Sequence, residues 1–347
     1  MADTVSTTRD AGPGRGSWSF EAPNGIVAAA LDRAAEKLAA RGERQGIVIV
    51  QSGAIVFERY WANAYHRADP TWKNVSFSSG KSWGSTMVGR AYTEGLLRLD
   101  DLASRYHPPA ISGLKPGVTI RHLLTMTSGG TLNVKPSTRR PRKLGDTRPP
   151  EPGDEYKWTK VGERGSPEGY GVSISAGTQF YYDGAAADHL ANVIHRATGQ
   201  PSLDYMMEHV VAPMGCEHFE YQPEGIDKSR NVRFGGSILM SCRDLARLGQ
   251  LYLNGGRWAG AALIDAHYIA GAITPSPLNP NYGFLWWLNV AGRIANAPRA
   301  MYYAAGARGQ FCFVLPAHDM VIATMGFGEE QLTGEQAWDA LAPILPE

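Results

Sequence analysis

The chain has 347 residues, of which 43% are apolar and 19% charged, and its formal net charge is +1. This length and composition predict a sizeable packed core in one large domain or two modest ones. The near-zero charge argues against a nucleic-acid partner, which would favour a strongly basic face. The sequence has no run of about 18 apolar residues, so we expect no membrane span.

The cysteines and the first residues bear on the location of the protein. Cys216, Cys242 and Cys312 lie far apart and lack metal-ligand spacing, and their odd number fits a reducing compartment better than a disulfide framework. Residues 1–22 are polar, rich in Gly, Ser, Thr and Arg, and contain no apolar h-region. They predict a flexible tail without a secretory signal, and the expected location is the cytoplasm.

Beyond the tail, apolar patterns predict strands at the two ends of the chain and helices between them. Apolar runs predict a hairpin over 46–60, around Ser52-Gly53, and several strands after Asn281. Apolar residues at helical spacing predict helices over 24–41, 78–97, 119–129, 184–198, 202–213, 242–254 and 334–345. His122 lies on one of these amphipathic helices, and we interpret it as structural.

This order of elements predicts one α/β domain over 23–347. A sheet would be assembled from 23–75 and 280–347, with a mostly helical region, 76–279, inserted between them. Inside that region, the stretch 130–176 is rich in Pro, Gly and charged residues. A loop of this length within a compact domain is either a solvated insertion or a lid or binding loop, and the sequence leaves both open.

The segment "FSSGKSW", residues 77–83, combines several serines with one lysine. Ser78 and Lys81 are three residues apart, so on a helix their side chains share a face and can meet. A serine hydroxyl is a poor nucleophile and needs a nearby base, which a lysine can supply where its surroundings favour the neutral amine. A serine on the first helical turn also lies near free backbone N–H groups that can stabilise an oxyanion.

The local pattern is weak by itself. Ser-x-x-Lys is expected about once or twice by chance in a chain of this length, and it recurs at Ser112-Gly-Leu-Lys115, which is typical of a surface loop. Competing motifs are poorer: the sequence has no H-E-x-x-H zinc motif. The local sequence therefore leaves open whether Ser78 is a nucleophile or part of a polar turn.

The wider context of Ser78 resembles the serine β-lactamase-like superfamily, on the side of class C β-lactamases, DD-peptidase-like esterases, 6-aminohexanoate-oligomer hydrolases and transacylases. The resemblance runs from about Gly46 to about Pro343. It is carried in order by "VSFSSGKSW", "EGLLRLDDLASRYHP" with "VTIRHLLTMTSGG", "AGTQFYYDGAAADHLANVIHRATGQ", "GGSILMSCRDLARLGQLYLNGGRWAG", "YGFLWW" and "AAGARGQFCFVLPAHDMVIATMG". It implies a central antiparallel sheet flanked by helices, with the site at the start of the Ser78 helix.

The resemblance also implies roles for particular residues. Ser78 would be the acylated nucleophile, Lys81 its proton acceptor, and Tyr182 the tyrosine that moves protons to the leaving group. Tyr181 is the neighbouring alternative, since adjacent side chains on an extended segment point apart. The oxyanion hole would use the backbone N–H groups of Ser78 and Gln310. Ser79 and Ser82 would be neighbours on the helix face.

The sequence departs from the family pattern at two motifs. The Tyr-x-Asn motif of the family reads Tyr182-Asp183-Gly184 here, so the asparagine amide is absent. The third motif reads Ala307-Arg308-Gly309, without the usual Lys or His. Asp183, Arg308 and Gly309 would contact substrate, although Arg308 could equally point outward. An acceptor pocket could be shaped by the basic residues of 135–148 together with Trp158, Trp286 and Trp287, and we choose Trp286 as the substrate contact. Alternatively, Trp286 and Trp287 could be only the core and the edge of a strand.

These observations predict a serine-nucleophile enzyme that needs no metal or cofactor. The simplest function is hydrolysis of a small-molecule ester or amide through a Ser78 acyl-enzyme. The first alternative is a transacylase, which passes the acyl group to an amine or alcohol acceptor. The second alternative is a binding or sensor domain that has kept the fold and lost turnover.

Overall fold

The computed structural model describes residues 10–107, 114, 117–129, 175–182, 184–234, 236–328 and 331–345. Most of the predicted polar loop 130–176, including Trp158, lies outside these residues. The second Ser-x-x-Lys at Ser112 and Lys115, and the predicted substrate contact Asp183, lie outside them as well.

The longer strands lie toward both ends of the described chain with most helices between them, as the sequence patterns predict, but four strands of two or three residues fall inside the predicted helical region. The strands are β1 (Arg44–Gln51), β2 (Ala54–Tyr60), β3 (Asn74–Val75), β4 (Phe219–Tyr221), β5 (Ile238–Met240), β6 (Arg257–Trp258), β7 (Ala261–Ala262), β8 (Trp287–Leu288), β9 (Tyr302–Gly306), β10 (Gln310–Leu315) and β11 (Met320–Gly326). The helices are α1 (Ala28–Ala39), α2 (Gly80–Thr93), α3 (Ile120–Leu124), α4 (Gly184–Thr198), α5 (Ser202–Met206), α6 (Ala212–Met214), α7 (Cys242–Leu253), α8 (Ala266–Ala272) and α9 (Gly334–Leu341). A π-helical turn, Met207–Val211, joins α5 to α6.

A six-stranded antiparallel sheet in the order β2-β1-β11-β10-β9-β8 forms the centre of the fold. The predicted hairpin between β1 and β2 is confirmed, and its turn uses Ser52 and Gly53 at φ +52° and +86°. Two successive positive φ values suit a tight hairpin because they match the twist of the paired strands. β1 therefore lies between its hairpin partner and β11, from the other end of the chain.

Both faces of this sheet are buried. Because side chains alternate along a strand, Ile47 and Ile49 of β1 pack on one side with α1 and α9, whereas Val48 and Val50 pack on the other with α2 and α7. A strand buried on both faces reads as a continuous apolar run rather than an alternating one, as "IVIV" does in β1. The predicted α/β fold with helices flanking an antiparallel sheet is confirmed.

The helical region shares its core with one face of the sheet. The cluster that contains Val48 and Val50 extends without interruption to Met87 on α2 and Leu190 on α4. This shared core does not mark a boundary between an α/β part and a helical part, so the boundaries at residues 76 and 279 stay a prediction. Among the described residues, none of the helices is both long and apolar enough to cross a bilayer.

Residues 10–22 form an ordered strap on the body, which corrects the prediction of a flexible tail for this part of the chain. The buried guanidinium of Arg247 donates hydrogen bonds to the carbonyls of Gly14 (3.1 Å) and Gly16 (2.8 Å). The Ile55 N–H donates to the carbonyl of Ser19 at 2.9 Å. The strap is held by its backbone carbonyls, which every residue possesses, and by Trp18, which is 6% exposed and belongs to the main core cluster.

Candidate active site

Ser78 lies in a 3-10 turn, Phe77–Ser79, that leads directly into α2. The preceding Phe77 has φ +45°, a conformation that bulky residues adopt only under constraint. Gly236 packs against it so closely that an ideal Cβ there would lie 2.9 Å from the Phe77 backbone. Such strain amounts to about 1–3 kcal/mol per residue and clusters at functional sites, and here it sets the direction in which the Ser78 side chain leaves the backbone.

Lys81 occupies the position that helical spacing predicts. Its Nζ lies 2.9 Å from the Oγ of Ser78, and its side chain is 3% exposed. The other serines of the segment have structural partners: Ser79 Oγ donates to the carbonyl of Ser76 at 2.7 Å, and Ser82 Oγ to the carbonyl of Leu285 at 2.8 Å. Within residues 77–83, Ser78 is thus the serine whose hydroxyl meets the lysine.

An aromatic stack connects Lys81 to the protein surface. The Lys81 Nζ lies 5.1 Å from the centre of the Tyr182 ring, and Tyr182 stacks on Trp287 with ring centres 5.5 Å apart. The guanidinium of Arg293 covers Trp287 at 4.1 Å. The ring over Lys81 is that of Tyr182 and not of Tyr181. Among the described residues, the Tyr182 phenol makes no hydrogen bond to Ser78 or Lys81.

The segment that carries Tyr182 is fixed by its backbone. The Tyr181 N–H donates to the carbonyl of Met126 and the Gly177 N–H to the carbonyl of Thr127, both at 2.8 Å. The loop that accepts these bonds follows α3, where His122 and Thr119 form a reciprocal N-terminal cap. The structural interpretation of His122 agrees with this cap, because its Nδ1 accepts from the Thr119 backbone.

A cleft of about 550 Å³ opens beside this stack. Aromatic and aliphatic side chains share its wall with polar groups, including one cation, Arg293, and one acid, Glu335, among the described residues. It is lined by Tyr182, Trp287, Arg293, Ile294, Tyr303, Ala305, Gly306, Ala307, Phe311, Gln331, Thr333, Gly334 and Glu335. Burial raises the pKa of the Tyr303 phenol, and the neighbouring Arg293 partly offsets this.

The end of β9 brings this cleft to the Ser78 turn. An ideal Cβ on Gly306 would lie 3.0 Å from the Ser79 nitrogen and even closer to the Ser76 carbonyl oxygen, so only glycine fits here. β8 pairs with β9 only at Tyr302 and Tyr303. The last residues of β9 and the following Ala307 line the cleft, and Gly306 also packs on the turn that contains Ser78.

The structure corrects two of the residues predicted around the third motif. Gln310 is 0% exposed, and its side-chain amide exchanges hydrogen bonds with Gly326, accepting from the N–H at 3.0 Å and donating to the carbonyl at 2.7 Å. Gly309 is also buried, against Arg44. A backbone N–H that receives a substrate oxygen must be accessible, so Gln310 cannot supply it. Three residues earlier, Ala307 is only partly buried and lines the cleft.

The sequence left open whether Arg308 points toward the site and whether Trp286 contacts substrate or lies in the core. Arg308 turns toward the site, since its guanidinium lies 5.3 Å from the ring centre of Phe77, next to Ser78. Trp286 is 0% exposed and packs between Tyr252 and Tyr302 in the core, so it has no surface for a substrate. The predicted contact at Trp286 is wrong, and the tryptophan at the cleft is the next residue.

Arg44 lies beneath the same turn. Its side chain donates to the carbonyls of Arg308 at 2.6 Å and Gly309 at 3.2 Å, and burial lowers its pKa to about 10. It therefore remains a cation at neutral pH. Among the residues that the structure describes, no three His, Cys, Asp or Glu side chains come together as metal ligands.

Comparison with known proteins identifies the family of this chain. Residues 31–341 match the family model described as beta-lactamase. The chain belongs to the beta-lactamase family. The 6-aminohexanoate-dimer hydrolase of Paenarthrobacter ureafaciens is 23% identical over 307 residues, which cover 80% of this chain and 71% of that protein.

Solved structures show the same fold. A family VIII carboxylesterase has a TM-score of 0.67 at 17% identity, covering 93% of this chain and 99% of its own. EstCE1, described as a hydrolase with promiscuous acyltransferase activity, has a TM-score of 0.65 at 15% identity, covering 90% and 98%. The resemblance stated from the sequence motifs is confirmed at the level of family and fold, and the family includes serine hydrolases that act on esters and amides.

Proposed function

We propose that this member of the beta-lactamase family hydrolyses esters or amides of small molecules through an acyl-enzyme on Ser78. The observation that carries the proposal is the 2.9 Å contact between the Lys81 Nζ and the Ser78 Oγ, made by a lysine that is 3% exposed. A nucleophile within hydrogen-bond reach of a base is the geometry that activates a serine.

The reaction would proceed in two steps. The Ser78 oxygen attacks the carbonyl carbon while its proton passes to the Lys81 amine, and the leaving alcohol or amine then takes up that proton as its bond to carbon breaks. Water next attacks the Ser78 ester, gives up a proton to Lys81, and releases the acid as the proton returns to Ser78. The Tyr182 ring would hold the Lys81 amine, and its phenol would assist proton transfer once substrate closes the site, since catalytic hydrogen bonds often tighten only in the complex.

The oxyanion of each tetrahedral intermediate would bind the backbone N–H groups of Ser78 and Ala307. Ser78 lies at the N-terminal end of α2, where the helix dipole favours negative charge. Ala307 lines the cleft directly after Gly306, whose backbone packs on the Ser78 turn. This assignment replaces the predicted donor Gln310.

The cleft beside Tyr182 and Trp287 would bind the acyl part of the substrate, and Arg308 would border the site at Phe77. Its mixed wall, with apolar rings and the opposite charges of Arg293 and Glu335, suits a chain that carries polar ends. The relative that hydrolyses a 6-aminohexanoate dimer is named for such an amide. We therefore propose a small ester or amide with a polar terminus as the substrate class.

Intact-protein mass spectrometry tests the nucleophile. We expect an activated acyl ester, or a serine-reactive phosphonate, to add one group to the wild-type protein and none to Ser78→Ala. Ser79→Ala is the matched control, because that neighbouring hydroxyl has a backbone partner instead of the lysine. An adduct that persists in Ser78→Ala would refute the assignment, and an unlabelled wild type would favour the alternative of a binding domain without turnover.

Acyl transfer is the second candidate, and the solved hydrolase with promiscuous acyltransferase activity favours it. An amine or alcohol that binds in the cleft would replace water in the second step. The test is to incubate the acyl ester with rising concentrations of a small amine and to separate free acid from amide. If only free acid forms at every amine concentration, the hypothesis of acyl transfer is wrong.

A further inference from the structure

Arg44, at the start of β1, is a buried cation whose described partners are all backbone carbonyls. It is 5% exposed and donates to the carbonyls of Glu43 (3.1 Å), Arg308 (2.6 Å) and Gly309 (3.2 Å). No carboxylate among the described residues pairs with it. Burial of a charge is unfavourable unless hydrogen bonds compensate for the lost water, so this placement calls for a role beyond filling space.

The two outer carbonyls belong to a turn with unusual backbone angles. Arg308 and Gly309 follow Ala307 with φ +62° and +78°, and an arginine in the left-handed region is disfavoured. The surroundings are shaped for the guanidinium, since a Cβ on Gly309 or on Gly326 would overlap it. Two glycines and one buried cation thus hold this turn in a conformation it would not favour alone.

The same region is tied to the segment that leads to Ser78. The carbonyl of Gly326 accepts from the side-chain amides of Asn74 and Gln310, each at 2.7 Å. Asn74 stands four residues before the nucleophile, and Gln310 follows the turn that Arg44 holds. The Ser78 turn and the Ala307 turn are therefore both connected by hydrogen bonds to Gly326, the last residue of β11.

We propose that Arg44 is a positioning residue, which holds the Ala307–Gly309 turn so that the Ala307 N–H faces the carbonyl oxygen of the acyl group on Ser78. The proposal rests on the proposed function. Arg44 itself lies beneath the turn and touches no substrate. Its bonds to the carbonyls of Arg308 and Gly309 fix the peptide planes that follow Ala307 and so restrain rotation of the donor through the chain, which reduces reorganisation at the moment of reaction.

The test compares Arg44→Met, which keeps much of the length and removes the donors, with Arg44→Lys, which restores a cation. Arg247→Met is the matched control, because Arg247 is equally buried and also donates to carbonyls of Gly14, Gly16 and Met214, far from the site. The readouts are the acylation rate and KM with a chromogenic ester and the carbonyl stretching frequency of the acyl-enzyme, measured by isotope-edited infrared difference spectroscopy.

We expect Arg44→Met to lower kcat by about 10- to 100-fold at little-changed KM, up to the loss seen on removing an oxyanion donor. The acyl carbonyl band should move to higher frequency, because a weaker oxyanion hole polarises the bond less, and Arg44→Lys should recover part of both effects. Arg247→Met should leave the band in place whatever it does to stability.

A carbonyl band in Arg44→Met and Arg44→Lys at the wild-type frequency would overturn the proposal, and so would a rate loss no larger than that of Arg247→Met. Should Arg44→Met fail to fold, the band and rate of Arg44→Lys decide alone. A wild-type protein that forms no adduct on Ser78 would instead overturn the proposed function, and the role of Arg44 with it.

Discussion

Replacing Gly306 by alanine tests whether the close approach of β9 to the nucleophile turn is essential. The added methyl would lie 3.0 Å from the Ser79 nitrogen and closer still to the Ser76 carbonyl oxygen, whereas ordinary contacts begin at 3.4 Å. Both neighbours are backbone atoms, so no side chain can rotate away. Relief requires the Ala307 turn and the Ser78 turn to separate by about 1 Å, a displacement that costs roughly 100-fold in rate at a reacting centre.

The assay is the rate of Ser78 acylation by a chromogenic ester, with the thermal unfolding midpoint measured on the same samples. Gly184→Ala is the matched control, since its methyl would meet Lys81 at 3.8 Å, an ordinary contact. We expect Gly306→Ala to lose about 100-fold and Gly184→Ala to stay within about threefold of the wild type. A folded Gly306→Ala protein that acylates as fast as Gly184→Ala would refute the reasoning.

Two further predictions concern stability and substrate charge. Burial beside Arg196 lowers the pKa of His107 from 6.5 to about 4, so His107 binds a proton less readily in the folded protein than in the unfolded chain. Up to about 3 kcal/mol of the free energy of unfolding should therefore be lost as the pH falls from 6.5 toward 4. Denaturant titrations should show a shallower pH slope in His107→Gln, and an unchanged slope would contradict this. Arg293→Gln should lower kcat/KM about fivefold for an ester with an anionic acyl end and leave its neutral isostere unaffected. Arg299→Gln, the exposed control nearby, should leave both unchanged, and an equal loss on both esters in Arg293→Gln would exclude a charge contact.

The elements with local signals were predictable from the sequence. The hairpin at Ser52-Gly53 and the meeting of Ser78 with Lys81 depend on residues a few positions apart, whose spacing alone brings them together. The fold class followed from the order of strands and helices, and from motifs that resemble a known family. The docking of residues 10–22 has one local sign, the buried Trp18, and its hydrogen bonds to Arg247 use backbone carbonyls, which every residue possesses.

The second half of the site depends on features that the sequence does not display. The stretch around Ala307 contains a turn with two left-handed residues, and only its fold shows that Ala307 lines the cleft whereas Gln310 is buried. Trp286 and Trp287 illustrate the same limit, since a shift of one residue in strand register exchanges the buried and the cleft-facing side chain. Arg44 gave no signal, because a single arginine at the start of a strand has no characteristic pattern.

The position of β1 in the sheet has a consequence for how the protein is made. β1 is an interior strand, yet one of its two partners, β11, is synthesised only after the whole helical region that separates them in the chain. At about 5–20 residues per second, the ribosome needs tens of seconds between the two strands, during which the β1 edge stays unpaired. Such an edge is a template for association with other chains, and the long sequence separation slows closure. Yield in recombinant production should therefore depend more on chaperones and temperature during translation than on the stability of the finished fold.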